Sequence, residues 1–139
     1  PNLNCALGLS QLKKINFILK KRKIIFNKYI DAFKNFHPNL ILPEYSKDNK
    51  FSYHLFLIHI SFKKLNKSKN HFMLYLKNKG ILAQQHYIPI YNFSVYKEKK
   101  TFLTNSEKYY KNSVSIPIYL NLSSKDQNKV IKIIKKYFD

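Results

Sequence analysis

A single cysteine, Cys5, rules out an internal disulfide, and a reducing compartment is the expected setting. Cys5 lies in a small-residue stretch, Asn4-Cys5-Ala6-Leu7-Gly8, where a free thiol is expected to be a small buried hydrophobe rather than a nucleophile. Gly8 and Gly80 are the only glycines, so the chain has neither a Gly-rich phosphate loop nor a flexible Gly linker. No apolar run approaches the roughly 18 residues of a membrane span. Acids are also scarce: seven Asp and Glu stand against 26 Lys and Arg, giving a net charge of +19. That excess is the usual mark of a nucleic-acid or anionic-surface binder. Two features weaken it. Arg22 is the sole arginine, and arginine is the residue that forks onto phosphates and bases. The lysines also accompany abundant Asn, Ile, Phe and Tyr, the residues that AT-rich codons over-supply. Much of the charge is therefore read as solvated surface.

What is present is enough for a core: 45% apolar and 16% aromatic residues in 139, fitting one domain of ordinary size. The sequence starts on Pro1 rather than Met and enters helical pattern at once, the form expected of a piece of a longer chain. Leu12, Ile15, Ile18, Leu19, Phe26, Tyr29, Ile30 and Phe33 recur at helical spacing. They predict one long helix, or two joined at a bend, ended by His37-Pro38. Gly8 inside that pattern suggests a close approach of another backbone.

A loop with Pro43, Ser46, Asp48 and Asn49 comes next, then a strand over Ser52–Ile60 and a polar turn over 61–66. Ser68 opens a helix that Gly80 stops. Ile81 to Tyr87 reads as a second strand, broken before Pro89. Short helical pieces are expected around Phe93–Tyr96 and Asn105–Tyr110, and a third strand over Val114–Ile118, which Pro117 makes an edge or ends. Ser123, with Asp126 three residues on, caps a last helix whose apolar face is Val130, Ile131, Ile133, Ile134, Tyr137 and Phe138. The fold class is α+β: about three strands with helices packed mainly on one face.

The residues by themselves give no complete catalytic set. The histidines His37, His54, His59, His71 and His86 form no HExxH or paired metal spacing. His54 and His59, five apart on a strand, point to opposite sides. The densest run of polar and aromatic groups is Gly80 to Tyr91, with Gln84, Gln85, His86, Tyr87 and Tyr91 at a strand end on a Pro-stiffened exit. Such exits carry binding groups, although a core strand with an aromatic corner would look the same.

Four segments, in order, resemble the DegT/DnrJ/StrS-type pyridoxal-phosphate (PLP) sugar aminotransferases. Asn4-Cys5-Ala6-Leu7-Gly8-Leu9-Ser10-Gln11-Leu12 is similar to that family's AALG-x-x-QL helix. Tyr53-His54-Leu55-Phe56 is similar to its HLF strand. Gly80-Ile81 with His86-Tyr87-Ile88-Pro89-Ile90-Tyr91 resembles its GI…HY-x-P-x-H stretch. Ser115-Ile116-Pro117-Ile118 with Leu122-Ser123 resembles its SLP…LS/T segment. Tyr91, where many relatives carry His, points to the branch that makes UDP-4-amino-4,6-dideoxy-N-acetyl-β-L-altrosamine on the way to pseudaminic acid.

The resemblance implies the small C-terminal domain of a fold-type I transferase, with residues 1–37 as a long connecting helix and 38–139 as the small domain. It also implies a cytoplasmic homodimer, a UDP-linked 4-keto-6-deoxy sugar as substrate and L-glutamate as donor, with no nucleic-acid or membrane partner. PLP would be held by an N-terminal domain outside this chain, so no catalytic or cofactor-binding residue is expected here, nor any metal ligand. His86, Tyr87 and Tyr91 would line the substrate side; packing between the two domains is the plainer alternative for each. Ala6 and Gly8 would let the first helix pack closely. The chain alone is expected not to transaminate. The rival readings are a basic, non-catalytic nucleic-acid-binding module and an inactive gene remnant.

Overall fold

The computed structural model describes residues 1–44, 51–96 and 103–139. Ser46, Asp48 and Asn49 of the expected loop lie outside them. The elements run α1 (Asn2–Leu12), α2 (Ile15–Phe33), β1 (Leu40–Ile41), β2 (Phe56–Ile60), α3 (Lys69–Asn78), α4 (Thr104–Asn112), β3 (Ser113–Ile116) and α5 (Ser124–Lys136), with short 3₁₀ turns at Phe62–Leu65, Ile90–Asn92 and Ser94–Tyr96. No helix among the described residues is long and apolar enough to cross a membrane.

The sheet is three-stranded and antiparallel in the order β1-β2-β3. Register decides which face is apolar. Leu40 lies opposite Ile60, Ile58 opposite Val114, and Phe56 opposite Ile116. All six are buried, and they put one apolar face against Phe26, Tyr29 and Phe33 of α2, Phe72 and Leu76 of α3, and Val130 and Ile134 of α5. Phe56 sits 4.9 Å from both the Phe26 and Tyr29 rings. Alternation along the strands sends His59, Ser113 and Ser115 to the opposite face. There α4 packs, with Tyr109 edge-on to the His59 ring at 5.1 Å. The sheet thus has three helices on one side and one on the other, the expected α+β arrangement.

Local chemistry sets the helix ends. Ser68 Oγ accepts the His71 amide, and Ser123 Oγ accepts the Asp126 amide, so both N-caps stand where the hydroxyls predict them. Gly80, at φ +77°, ends α3: its amide donates to the Lys77 carbonyl, and the Ile81 amide to the Leu76 carbonyl, both at 2.9 Å. This is the Schellman pattern, completed by the burial of Leu76 and Ile81.

Several expectations are corrected. The first helical segment takes the two-helix form that the spacing allowed, but the second helix ends at Phe33 rather than at His37-Pro38, with Asn35 taking a left-handed φ of 57°. The strand expected from Ser52 begins only at Phe56. The run from Ile81 to Tyr87 is not a strand; one residue, Gln84, bridges Ser115, because that is the only point where it reaches the backbone of β3. The third strand is instead Leu40–Ile41, too short to show a period, at the opposite edge of the sheet from Gln84. Cys5 is exposed rather than buried, since no residue of α1 is buried. Among the described residues nothing lies within 4 Å of a methyl group built at Gly8, so the expected close approach is not made by any of them.

Candidate functional site

The Gln84 bridge builds the site. Its amide donates to the Ser115 carbonyl at 2.9 Å, and the Ser115 amide donates back at 2.8 Å. This pins the segment after α3 along the open edge of β3 and brings His86 onto Ser115. Their side chains meet at 2.6 Å, His86 Nδ1 to Ser115 Oγ. Ser115 is 4% exposed.

Beside this pair lies a pocket of about 680 Å³, between the Gly80–His86 segment, the Ser115–Tyr119 strand exit and α5. His54, His86, Tyr119, Asp126 and Lys129 give it polar character. Asp126 is partly committed: its carboxylate accepts the Ser123 hydroxyl at 2.6 Å. Lys129 brings an ammonium and His86 a ring nitrogen, so the walls favour a ligand that presents oxygen atoms.

Tyr87 and Tyr91 do not join His86 there. Both line a neighbouring recess of about 510 Å³ with Ile88, Ile90, Leu103 and Tyr109. Tyr87 is 71% exposed, and its ring meets that of His86 edge-on at 4.7 Å. Tyr91 donates its hydroxyl to Glu107 Oε1 at 3.1 Å. Desolvation and the Glu107 carboxylate together hold the Tyr91 phenol above its ordinary value. Desolvation also pushes the Glu107 carboxyl up, but hydrogen bonds from Tyr91, Asn92 and Lys111, with the Lys111 charge, outweigh it and leave it below the usual range. Tyr91 is therefore already paired with an acid of its own domain.

Sequence reasoning missed Ser115, Asp126 and Lys129 as pocket residues. Ser115 stood inside a motif that was recognised, but nothing in the order of residues joins it to His86, 29 positions away. Lys129 was hidden among many lysines.

A family model described as the DegT/DnrJ/EryC1/StrS aminotransferase family matches residues 1–135. The chain belongs to that family. Its aminotransferase relatives include the UDP-4-amino-4,6-dideoxy-N-acetyl-beta-L-altrosamine transaminase of Helicobacter pylori, 33% identical over 99% of this chain and 36% of that protein. The spore coat polysaccharide biosynthesis protein SpsC of Bacillus subtilis is 30% identical over 96% of this chain and 36% of its own length. Among solved structures, Helicobacter pylori PseC, an aminotransferase involved in the biosynthesis of pseudoaminic acid, superposes with a TM-score of 0.86 at 32% identity, covering 96% of this chain and 36% of that one. The chain thus spans about a third of the length of the relatives it matches.

The residues lining this pocket of the DegT/DnrJ/EryC1/StrS chain do not fit a PLP site. The cofactor needs a lysine amine, an acid at the pyridine nitrogen and a cradle for its phosphate. The pocket's Lys129 and Asp126 lie within one turn of α5, and Asp126 is engaged in capping that helix. The pocket glycine, Gly80, is spent on stopping α3. Burial pushes the Lys69 amine below its ordinary value, but its ammonium lies on the Tyr110 carbonyl and 4.3 Å from the Tyr110 ring, and Lys69 does not line that pocket.

Proposed function

We propose that these 139 residues are the C-terminal part of a PLP-dependent aminotransferase. It moves an amino group from L-glutamate to a UDP-linked 4-keto-6-deoxy sugar, in pseudaminic acid or related surface-sugar biosynthesis. The observation that carries the reading is the likeness over nearly the whole chain, at 32% identity and a TM-score of 0.86, to an aminotransferase of that biosynthesis. In this reading the cofactor is held by residues outside the chain, and residues 38–139 form a small domain attached through the helical segment 1–37. The complete protein works as a cytoplasmic homodimer.

His86, which lines the pocket with Lys129, meets the sugar nucleotide through a hydrogen bond to a hydroxyl or phosphate oxygen. Tyr87, open to solvent next to it, offers a ring face or its hydroxyl. Tyr91 shapes the recess behind them while bonded to Glu107. The chain by itself binds or orients; it does not transaminate.

The test is to express the full reading frame that contains these residues and supply PLP, L-glutamate and a UDP-4-keto-6-deoxy-N-acetylhexosamine. Glutamate-dependent formation of 2-oxoglutarate and a UDP-amino sugar, followed by mass spectrometry, is the expected result. A purified, PLP-loaded protein that converts no nucleotide keto-sugar would overturn the reading. Turnover by the isolated 139-residue chain would overturn the assignment of the cofactor to residues outside it.

A further inference from the structure

β3 carries two buried serines on one face, and each bonds to the Nδ1 atom of a different histidine. Ser113, 2% exposed, meets His59 Nδ1 at 3.1 Å; Ser115, 4% exposed, meets His86 Nδ1 at 2.6 Å. The two pairs differ in where the serine proton goes. Ser113 donates its hydroxyl hydrogen to the Tyr109 carbonyl at 2.7 Å. Towards His59 it can then only accept, so His59 carries its hydrogen on Nδ1.

Ser115 has no such outlet. Its backbone amide and carbonyl are both taken by Gln84, and its hydroxyl has a single partner among the described residues, His86 Nδ1. A buried hydroxyl hydrogen left without an acceptor is costly, whereas donation to Nδ1 satisfies both groups at once. Neutral His86 then carries its own hydrogen on Nε2, the nitrogen with no protein partner among the described residues.

We propose that Ser115 is a positioning residue that fixes His86 as a hydrogen-bond donor through Nε2. The pocket therefore selects ligands by their acceptor oxygens, and His86 is not a general base in its neutral form. The Gln84–Ser115 double bridge supplies the rigidity, since it holds the strand and the His86 segment in one register. Lys129 adds a second donor to the same pocket. The link to a sugar nucleotide rests on the aminotransferase reading above; the assignment of the hydrogen does not.

The experiment is long-range ¹H–¹⁵N correlation of the imidazoles in the ¹⁵N-labelled 139-residue chain, without substrate, at a pH about two units above the ordinary histidine value of ~6.5. The expected spectrum shows His86 protonated on Nε2 alone and His59 on Nδ1 alone. In Ser115→Ala the His86 nitrogens move towards an averaged mixture while His59 stays fixed. Ser115→Thr, which keeps the hydroxyl on a strand that tolerates β-branching, restores the His86 pattern. A wild-type His86 carrying its hydrogen on Nδ1 would sink the proposal with no variant needed. So would Ser115→Ala leaving the His86 nitrogens unmoved. Because no substrate enters the tube, failure of the aminotransferase assay and failure of this assignment are separate results.

Discussion

Gln127 on α5 donates its amide hydrogen to the Ile25 carbonyl on α2 at 2.7 Å, and both residues are buried. The bond ties together two helices whose first contact is otherwise apolar, and Lys28 adds a second tie at the surface through the Ser124 hydroxyl at 2.6 Å.

Replacing Gln127 by Leu keeps the bulk and removes the donor. The Ile25 carbonyl retains its helical bond, so the loss should be about 1–2 kcal/mol, in the range of a buried hydrogen bond. Urea unfolding of wild type and variant measures it. An unchanged midpoint would mean that the side chain contributes only packing.

Gly80→Ala isolates a backbone effect. A methyl group there meets only Lys129 Nζ, at 4.0 Å, so there is no clash, yet φ stays at +77°. The cost should be about 1 kcal/mol, from the left-handed conformation alone. A D-alanine introduced by semisynthesis at the same position should remove that cost, read from the same denaturation curve.

His59 makes stability depend on pH. Burial lowers its affinity for a proton below the ordinary value. The unfolded chain therefore takes up the proton first, so this contribution is complete above the unfolded value and drains as pH falls through it towards the folded one. The groups packed against His59 are the Tyr109 ring and the Ser113 hydroxyl, with Lys108 in the same recess, and none supplies a compensating negative charge. His59→Asn keeps a donor towards Ser113 without a titrating ring. Its urea midpoint should fall less than that of wild type between about pH 7 and pH 5, the interval around the ordinary histidine value.

Residues 1–13 can be deleted at little cost to this chain. No residue of α1 is buried, although Leu3, Leu7, Leu9 and Leu12 are all more than half exposed apolar side chains. Removal should change unfolding free energy by no more than about 0.5 kcal/mol, the range of surface changes that touch nothing. A larger loss would show that α1 packs on the chain in solution.

The lysine excess makes its own prediction. If it is a solvated surface, retention on duplex DNA should match retention on heparin and vanish at modest salt. Preference for a nucleic acid over heparin would bring the binding-module reading forward.

The parts legible in the sequence are those that a few neighbouring residues decide. Ser68 and Ser123 cap helices because a hydroxyl reaches an amide three residues on. Gly80 stops α3 because a left-handed residue ends a helix without a Cβ penalty. Strands were harder. Ile81 to Tyr87 has the composition of a strand but finds one partner residue, whereas Leu40–Ile41 has no pattern of its own and pairs because β2 offers it an edge.

The sequence by itself determined the family, the α+β class and the apolar face of α5, since motif order and hydrophobic period are properties of the chain taken one stretch at a time. Tertiary structure alone decided that His86 belongs with Ser115 and the Lys129 pocket, while Tyr87 and Tyr91 belong to the recess beside it. The reason is the register of one double hydrogen bond, Gln84 to Ser115, between segments that no local preference brings together.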